Sequence, residues 1–169
     1  MKIRKVTILG STGSIGINAL KVIENLKEEV RVIGLSCNKN IDLLTNQIKI
    51  FNPLYVSIAD EEAYHTFKNK ITNYNFELLK GRNGLLEISS INDNDLIING
   101  LVGSSGMEPT LCAVKKGINV ALANKESLVM AGSLIEKAMN KSGAKIFPVD
   151  SEHSAIWQCL SGEVLSDVK

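Results

Sequence analysis

The chain has 169 residues, 44% of them hydrophobic and 22% charged, and 19 basic side chains balance 18 acidic ones to a net charge of +1. That is the composition of one globular domain with enough material to bury a core, and the even charge leaves no electrostatic footprint for nucleic acid. The apolar runs are far too short to span a bilayer, so no membrane partner is expected, and the widely spaced Cys37, Cys112 and Cys159 suggest neither a disulfide framework nor a zinc knuckle and suit a reducing cytoplasm.

The first predicted strand, Val6–Leu9, starts close to Met1, which leaves no room for a signal or transit peptide. Gly10-Ser11-Thr12-Gly13-Ser14-Ile15-Gly16 follows it and opens a helix predicted over Ile15–Leu26. This spacing is a variant of the dinucleotide fingerprint. Gly10 permits the tight turn, Gly13 lets backbone approach a pyrophosphate, and Gly16 lets helix pack closely on strand. The helix N-terminus offers free N–H groups and a partial positive charge to phosphates, and Thr12 and Ser14 add hydroxyl donors. The plainer alternative is a glycine turn within an α/β domain.

Val30–Leu35 reads as the second strand. An NAD enzyme places Asp or Glu about twenty residues beyond its glycine loop to hold the ribose hydroxyls. Here the residues are Leu35-Ser36-Cys37-Asn38-Lys39-Asn40, with no acid among them. Lys39 among small polar neighbours suits a 2′-phosphate and favours NADP; otherwise it is a solvated loop charge. A helix over Ile41–Ile50, a strand over Tyr55–Ile58 and a helix over Glu61–Lys70 come next, with His65 on the surface. The polar stretch Asn69–Asn94 carries a strand at Phe76–Leu79 and only a weak helical signal. Leu96–Ile98 is a strand, Gly103-Ser104-Ser105-Gly106 a turn bordering the cofactor, and Pro109–Lys116 a helix. Val120–Ala123, Ser127–Lys141 and Ile146–Val149 complete the alternation as strand, helix and strand. Gly117 and Gly143 stand just past two helices, where a left-handed cap wants glycine. The fold class implied is α/β: a doubly wound, mostly parallel sheet with helices on both faces, Rossmann-like.

Two further junctions carry chemistry. In Ala123-Asn124-Lys125-Glu126-Ser127, Lys125 can meet an anionic substrate while Asn124 and Glu126 hydrogen-bond a nicotinamide ribose; alternatively Asn124 is an N-cap and Glu126 serves the helix dipole. In Phe147-Pro148-Val149-Asp150-Ser151-Glu152-His153, two carboxylates stand at the carboxyl end of a strand, where ligands of open α/β sheets collect. Their hard oxygens suit Mg²⁺ or Mn²⁺, although Asp150 or Ser151 can equally cap the helix that follows. Beyond them, Trp157 with Ile156 and Leu160 reads as packing. Ser161-Gly162 and a short tail to Lys169 read as the start of a further segment.

Together, Gly10–Gly16, Ala123-Asn124-Lys125-Glu126-Ser127-Leu128-Val129 and Pro148-Val149-Asp150-Ser151-Glu152-His153-Ser154-Ala155-Ile156 resemble the 1-deoxy-D-xylulose 5-phosphate reductoisomerase family. The resemblance implies an NADPH- and Mg²⁺- or Mn²⁺-dependent enzyme of non-mevalonate isoprenoid biosynthesis. Its substrate, a small phosphorylated sugar, is rearranged and then reduced to 2-C-methyl-D-erythritol 4-phosphate. It also implies a cytoplasmic protein that is a homodimer when full length. By the same resemblance Thr12, Gly13, Ser14 and Ile15 bind the pyrophosphate side of NADPH, and Asn38, Lys39 and Asn40 its adenosine phosphate. Asn124 and Glu126 make further cofactor contacts. Lys125, Ser151 and Glu152 form the catalytic set, Lys125 and Ser151 touching substrate, and Asp150 and Glu152 are metal ligands. Residues 1–150 would form the NADPH-binding domain and 151–169 the start of a truncated catalytic domain, because the family's chains are longer. Two alternatives remain: another NADP-dependent reductase, such as a semialdehyde dehydrogenase using a cysteine, and an isolated non-catalytic nucleotide-binding module.

Overall fold

A computed structural model describes residues 2–72, 74–164, 166 and 168, so part of the 151–169 segment lies outside the described residues. The chain alternates strand and helix throughout: β1 (Arg4–Leu9), α1 (Ser14–Glu24), β2 (Val30–Cys37), α2 (Ile41–Phe51), β3 (Tyr55–Ile58), α3 (Glu61–Lys70), β4 (Glu77–Lys80) and α4 (Gly81–Ile88). The second half adds β5 (Leu96–Asn99), a 3₁₀ turn at Gly103–Gly106, α5 (Met107–Lys115), β6 (Asn119–Leu122), α6 (Glu126–Ser142), β7 (Ile146–Pro148) and α7 (Ser151–Leu160).

The strands form one seven-stranded sheet in the order β4-β3-β2-β1-β5-β6-β7, and every pairing is parallel. Strand order reverses direction between β1 and β5. Right-handed crossovers therefore place α1, α2 and α3 on one face, while α4, which carries the chain back from the edge strand β4 to β5, lies on the other face with α5 and α6. The packing agrees. Leu20 and Ile23 of α1, Leu44 of α2 and Phe67 of α3 share one apolar layer with Val6, Ile8 and Leu35. Leu85 and Ile88 of α4 and Ala113 and Val114 of α5 share the other with Ile97, Val120 and Leu122. Side chains such as Ile8, Leu44, Ile88 and Ile97 are fully buried, each stabilising the fold by about 1.5–3 kcal/mol through burial.

The predicted elements are all present, and the departures have local reasons. Strand β2 runs on to Cys37, which is 2% exposed, and burial pushes its thiol up to about 12. Helix α4 went unread because Gly81 and Gly84 have low helical propensity; it holds together by burying Leu85 and Ile88. Helix α5 starts at Met107, since Pro109 is tolerated in a first turn. Helix α6 is interrupted at Ala131 (φ −140°, ψ 23°). Gly143 caps it with φ +78°, and Gly117 adopts the same φ just past α5. Trp157 and Ile156 correct an expectation: they are 52% and 59% exposed, and no residue of α7 is buried. Among the described residues no helix is long and apolar enough to cross a membrane.

Candidate functional site

Every motif singled out in the sequence reaches the carboxyl edge of the sheet, where β1, β2, β5, β6 and β7 end. The glycine loop lies at the reversal point. Gly10 has φ +74°, a conformation that costs glycine nothing, and a Cβ there would stand 3.2 Å from the Gly100 carbonyl at the end of β5. A Cβ at Gly16 would sit 2.4 Å from the Gly10 carbonyl, so only glycine lets α1 start this close to the loop. Gly13 is the N-cap of α1 and supplies no side-chain bond to the helix's first N–H groups. Those donors and the positive end of the helix dipole are left to an external anion. Thr12 and Ile15 flank them half-buried, while Gly13 and Ser14 are exposed.

Three residues that the sequence reading passed over hold this loop. Ser11 is completely buried. Its single hydroxyl proton lies between Gln47 Oε1 at 2.7 Å and the Ser36 carbonyl at 3.1 Å, and Gln47 Nε2 donates back to the Ser11 carbonyl at 2.8 Å. The Gly10 N–H donates to Ser36 Oγ at 3.0 Å. A signal existed: Gln47 is a polar residue inside the apolar stripe of Leu44, Ile48 and Phe51.

At the end of β2, Asn38, Lys39 and Asn40 are exposed. The Asn40 side chain caps α2 by accepting from the Leu43 N–H at 3.1 Å. Lys39 Nζ lies 3.5 Å from Asp60 Oδ2, a carboxylate from the end of β3. The carboxylate that pairs with Lys39 thus comes from the neighbouring strand and not from the β2 loop.

The loop after β5 is fastened from two sides. Fully buried Asn99 donates to the Gly106 carbonyl and to Thr110 Oγ1, both at 2.9 Å, and accepts from the Leu101 N–H. Asn124, 1% exposed, donates to the carbonyls of Leu101 and Gly103 at 2.8 and 2.7 Å. Its Oδ1 accepts from the Ser127 N–H and hydroxyl at 2.8 and 2.6 Å. That fills the hydrogen-bonding capacity of its amide, so a contact with a nicotinamide ribose would fall to its backbone. Glu126, two residues further along the chain, is exposed.

Lys125, Ser151 and Glu152 come together. Lys125 Nζ donates to Glu152 Oε1 and Ser151 Oγ to Glu152 Oε2, both at 3.0 Å. The Lys125 hydrogen bond is the main cause that draws the Glu152 carboxyl down to about 2, and in return Glu152 raises the Lys125 ammonium above its usual range. Asp150 is the N-cap of α7, accepting from the His153 N–H at 2.9 Å, and His153 Nδ1 stands 2.8 Å from its second oxygen. Burial alone would raise the Asp150 carboxyl, but the backbone and ring contacts from His153 outweigh it and hold it below the ordinary range. Capping and metal binding are compatible, since a carboxylate has about four acceptor sites. Among the described residues no group of three or more His, Cys, Asp or Glu side chains converges as a metal site, and Asp150 and Glu152 could offer an ion only part of its hard-oxygen shell. Cys37 and Cys112 offer no nucleophile here. Burial raises the Cys112 thiol, the opposite of what a reactive thiolate needs.

Comparison with known proteins agrees with this geometry. Residues 6–132 match the family described as 1-deoxy-D-xylulose 5-phosphate reductoisomerase. The enzyme of that name from Thermodesulfovibrio yellowstonii is 48% identical over 159 residues, covering 94% of this chain and 41% of the relative. Among solved structures, the reductoisomerase from Zymomonas mobilis in complex with NADPH superposes with a TM-score of 0.88 at 40% identity, over 94% of this chain and 41% of that one. A reductoisomerase in complex with NADPH, fosmidomycin and magnesium gives 0.91 at 37% identity, over 98% and 41%. The chain spans about two fifths of the length of the relatives it matches.

Proposed function

The chain belongs to the 1-deoxy-D-xylulose 5-phosphate reductoisomerase family, and from that premise we propose that it forms the NADPH-binding part of an enzyme making 2-C-methyl-D-erythritol 4-phosphate. Residues 1–150 are the cofactor domain, and 151–169 open the catalytic one. The carrying observation is the uncapped N-terminus of α1 behind Gly10–Gly16, at the point where strand order reverses. In doubly wound folds that crevice takes dinucleotides.

In this reading Thr12, Gly13, Ser14 and Ile15 hold the pyrophosphate. Lys39, between Asn38 and Asn40, meets the 2′-phosphate. The Asn124 backbone and Glu126 border the nicotinamide ribose, with Asn124 fixing the β5 loop beside them. NADPH supplies the hydride, and the protein orients it. Lys125 and Ser151 bind the substrate, a small phosphorylated sugar. On binding, Lys125 exchanges the Glu152 carboxylate for a substrate oxygen, which frees Glu152 to join Asp150. Those two carboxylates would hold Mg²⁺ or Mn²⁺, and such an ion supplies Lewis-acid polarisation of the substrate carbonyl. A cytoplasmic, homodimeric full-length enzyme belongs to the same reading and rests on the family resemblance alone.

The test is selective cofactor binding. Titrating the chain with NADPH and with NADH, followed by nicotinamide fluorescence, should give clearly tighter binding of NADPH. Equal affinities or a preference for NADH would overturn the assignment.

A further inference from the structure

We infer that Asp60 competes with the cofactor's 2′-phosphate for Lys39, and so sets how strongly the site prefers NADPH to NADH. This rests on the NADPH reading above and adds a residue outside the glycine loop and the β2 turn.

The competition follows from how two strands end. β2 and β3 run parallel with Cys37 opposite Ile58, and the Ala59 N–H donates to the Cys37 carbonyl at 3.0 Å. The chain therefore leaves both strands side by side, Lys39 two residues past one and Asp60 two past the other. Asp60 is held in place. Its Oδ1 accepts from the Ala63 N–H at 2.9 Å as the N-cap of α3, and its side chain is only 25% exposed. That backbone hydrogen bond is the main cause keeping the carboxyl below its usual range, so Asp60 is anionic at neutral pH. Lys39 is 74% exposed, on a long flexible stem, and Asp60 is its one ionic partner among the described residues. A fixed anion and a movable cation at 3.5 Å form a pair that an incoming phosphate must share or break.

NADPH brings a second negative charge to this pair and NADH brings none. A carboxylate beside the ribose is also the group that NAD enzymes use to hold the 2′-hydroxyl. Asp60 thus acts against NADPH and not against NADH, which moderates a preference created by Lys39.

Asp60→Asn isolates the charge, because asparagine caps a helix as well as aspartate does. The variant should bind NADPH roughly three- to tenfold more tightly, the scale of one unit-charge interaction across a partly solvated gap, and NADH within about twofold of the parent. In a Lys39→Ala background the gain should shrink, since there is no cation left to compete for. Asp60→Ser, another good cap, should behave alike if the asparagine variant folds poorly. An unchanged or weaker NADPH affinity in a variant with the parent's melting temperature overturns the inference, as does an undiminished gain without Lys39. The two failures can be told apart. If Lys39→Ala leaves NADPH binding unaltered, the cofactor reading of Lys39 falls and takes the inference with it. If Lys39→Ala weakens NADPH while Asp60→Asn changes nothing, only the role of Asp60 falls.

Discussion

At the scale of single residues, the glycine loop depends on side chains that never face a ligand. Gln47 is 5% exposed on the inner side of α2, and its amide both accepts from and donates to Ser11. Gln47→Leu keeps the volume and removes both bonds, stranding the Ser11 carbonyl where water does not reach. Such a loss should cost about 1–3 kcal/mol, read as a lower urea midpoint, and NADPH affinity should fall because the turn that presents the α1 N–H groups is no longer braced. An unchanged midpoint would show that Gln47 is not a brace. The glycine loop and the strand-end carboxylates were legible as motifs because glycine spacing and carboxylates at strand ends have few other uses. Gln47, Ser11 and Ser36 were not, since their partners lie up to 36 residues away in sequence.

At the scale of elements, periodicity located the strands and most helices, and it failed where tertiary contact overrides local preference. Helix α4 opens with two glycines in its first four residues and exists because Leu85 and Ile88 fill space beneath the sheet. The break in α6 at Ala131 falls at the Gly132-Ser133 pair, a common site of helix kinks, but the helical spacing of apolar residues runs on through it and hides the interruption. Joints between elements are equally silent in sequence. Asp95, just before β5, accepts from the Lys5 N–H of β1 at 2.8 Å and from Lys2 Nζ at 2.9 Å. The backbone bond from Lys5 is the chief cause holding its carboxyl below the ordinary range. A depressed carboxylate stabilises the fold at pH above its unfolded pKa, and that contribution is lost as pH falls through the folded value. Asp95→Asn keeps an acceptor and removes the charge. It should therefore be less stable than the parent by about 0.5–1 kcal/mol near pH 7, and the gap should close as pH drops from about 5 toward 2. Denaturation midpoints across that range measure it; a gap independent of pH would mean that the charge of Asp95 is not what joins β1 to β5.

At the scale of the whole molecule, the parallel sheet gathers residues between 10 and 152 on one edge, which is why three motifs separated in the sequence could be read together. The ion pairs Lys39–Asp60 and Lys125–Glu152 were invisible to that reading because each joins the ends of different strands. What the edge holds is uneven. For a dinucleotide it offers a braced loop, an open helix N-terminus and a cation. For the chemistry it offers less: two carboxylates with no third donor converging among the described residues, and one of the two tied to Lys125. Ions such as Mg²⁺ keep most of their water when only one or two carboxylates are offered, and substrate turnover also needs water kept out of the site. In this structure Ser151, Glu152 and His153 are all exposed. These 169 residues should therefore bind NADPH yet fail to oxidise it when given 1-deoxy-D-xylulose 5-phosphate and Mn²⁺. The absorbance of the reduced nicotinamide follows the reaction, and an equilibrium titration on the same sample confirms that cofactor is bound. NADPH consumption at the pace of an ordinary enzyme, about 1 s⁻¹ or faster, would show that the carboxylate pair and Lys125 suffice for catalysis, and the division of labour between cofactor edge and catalytic groups drawn here would be wrong.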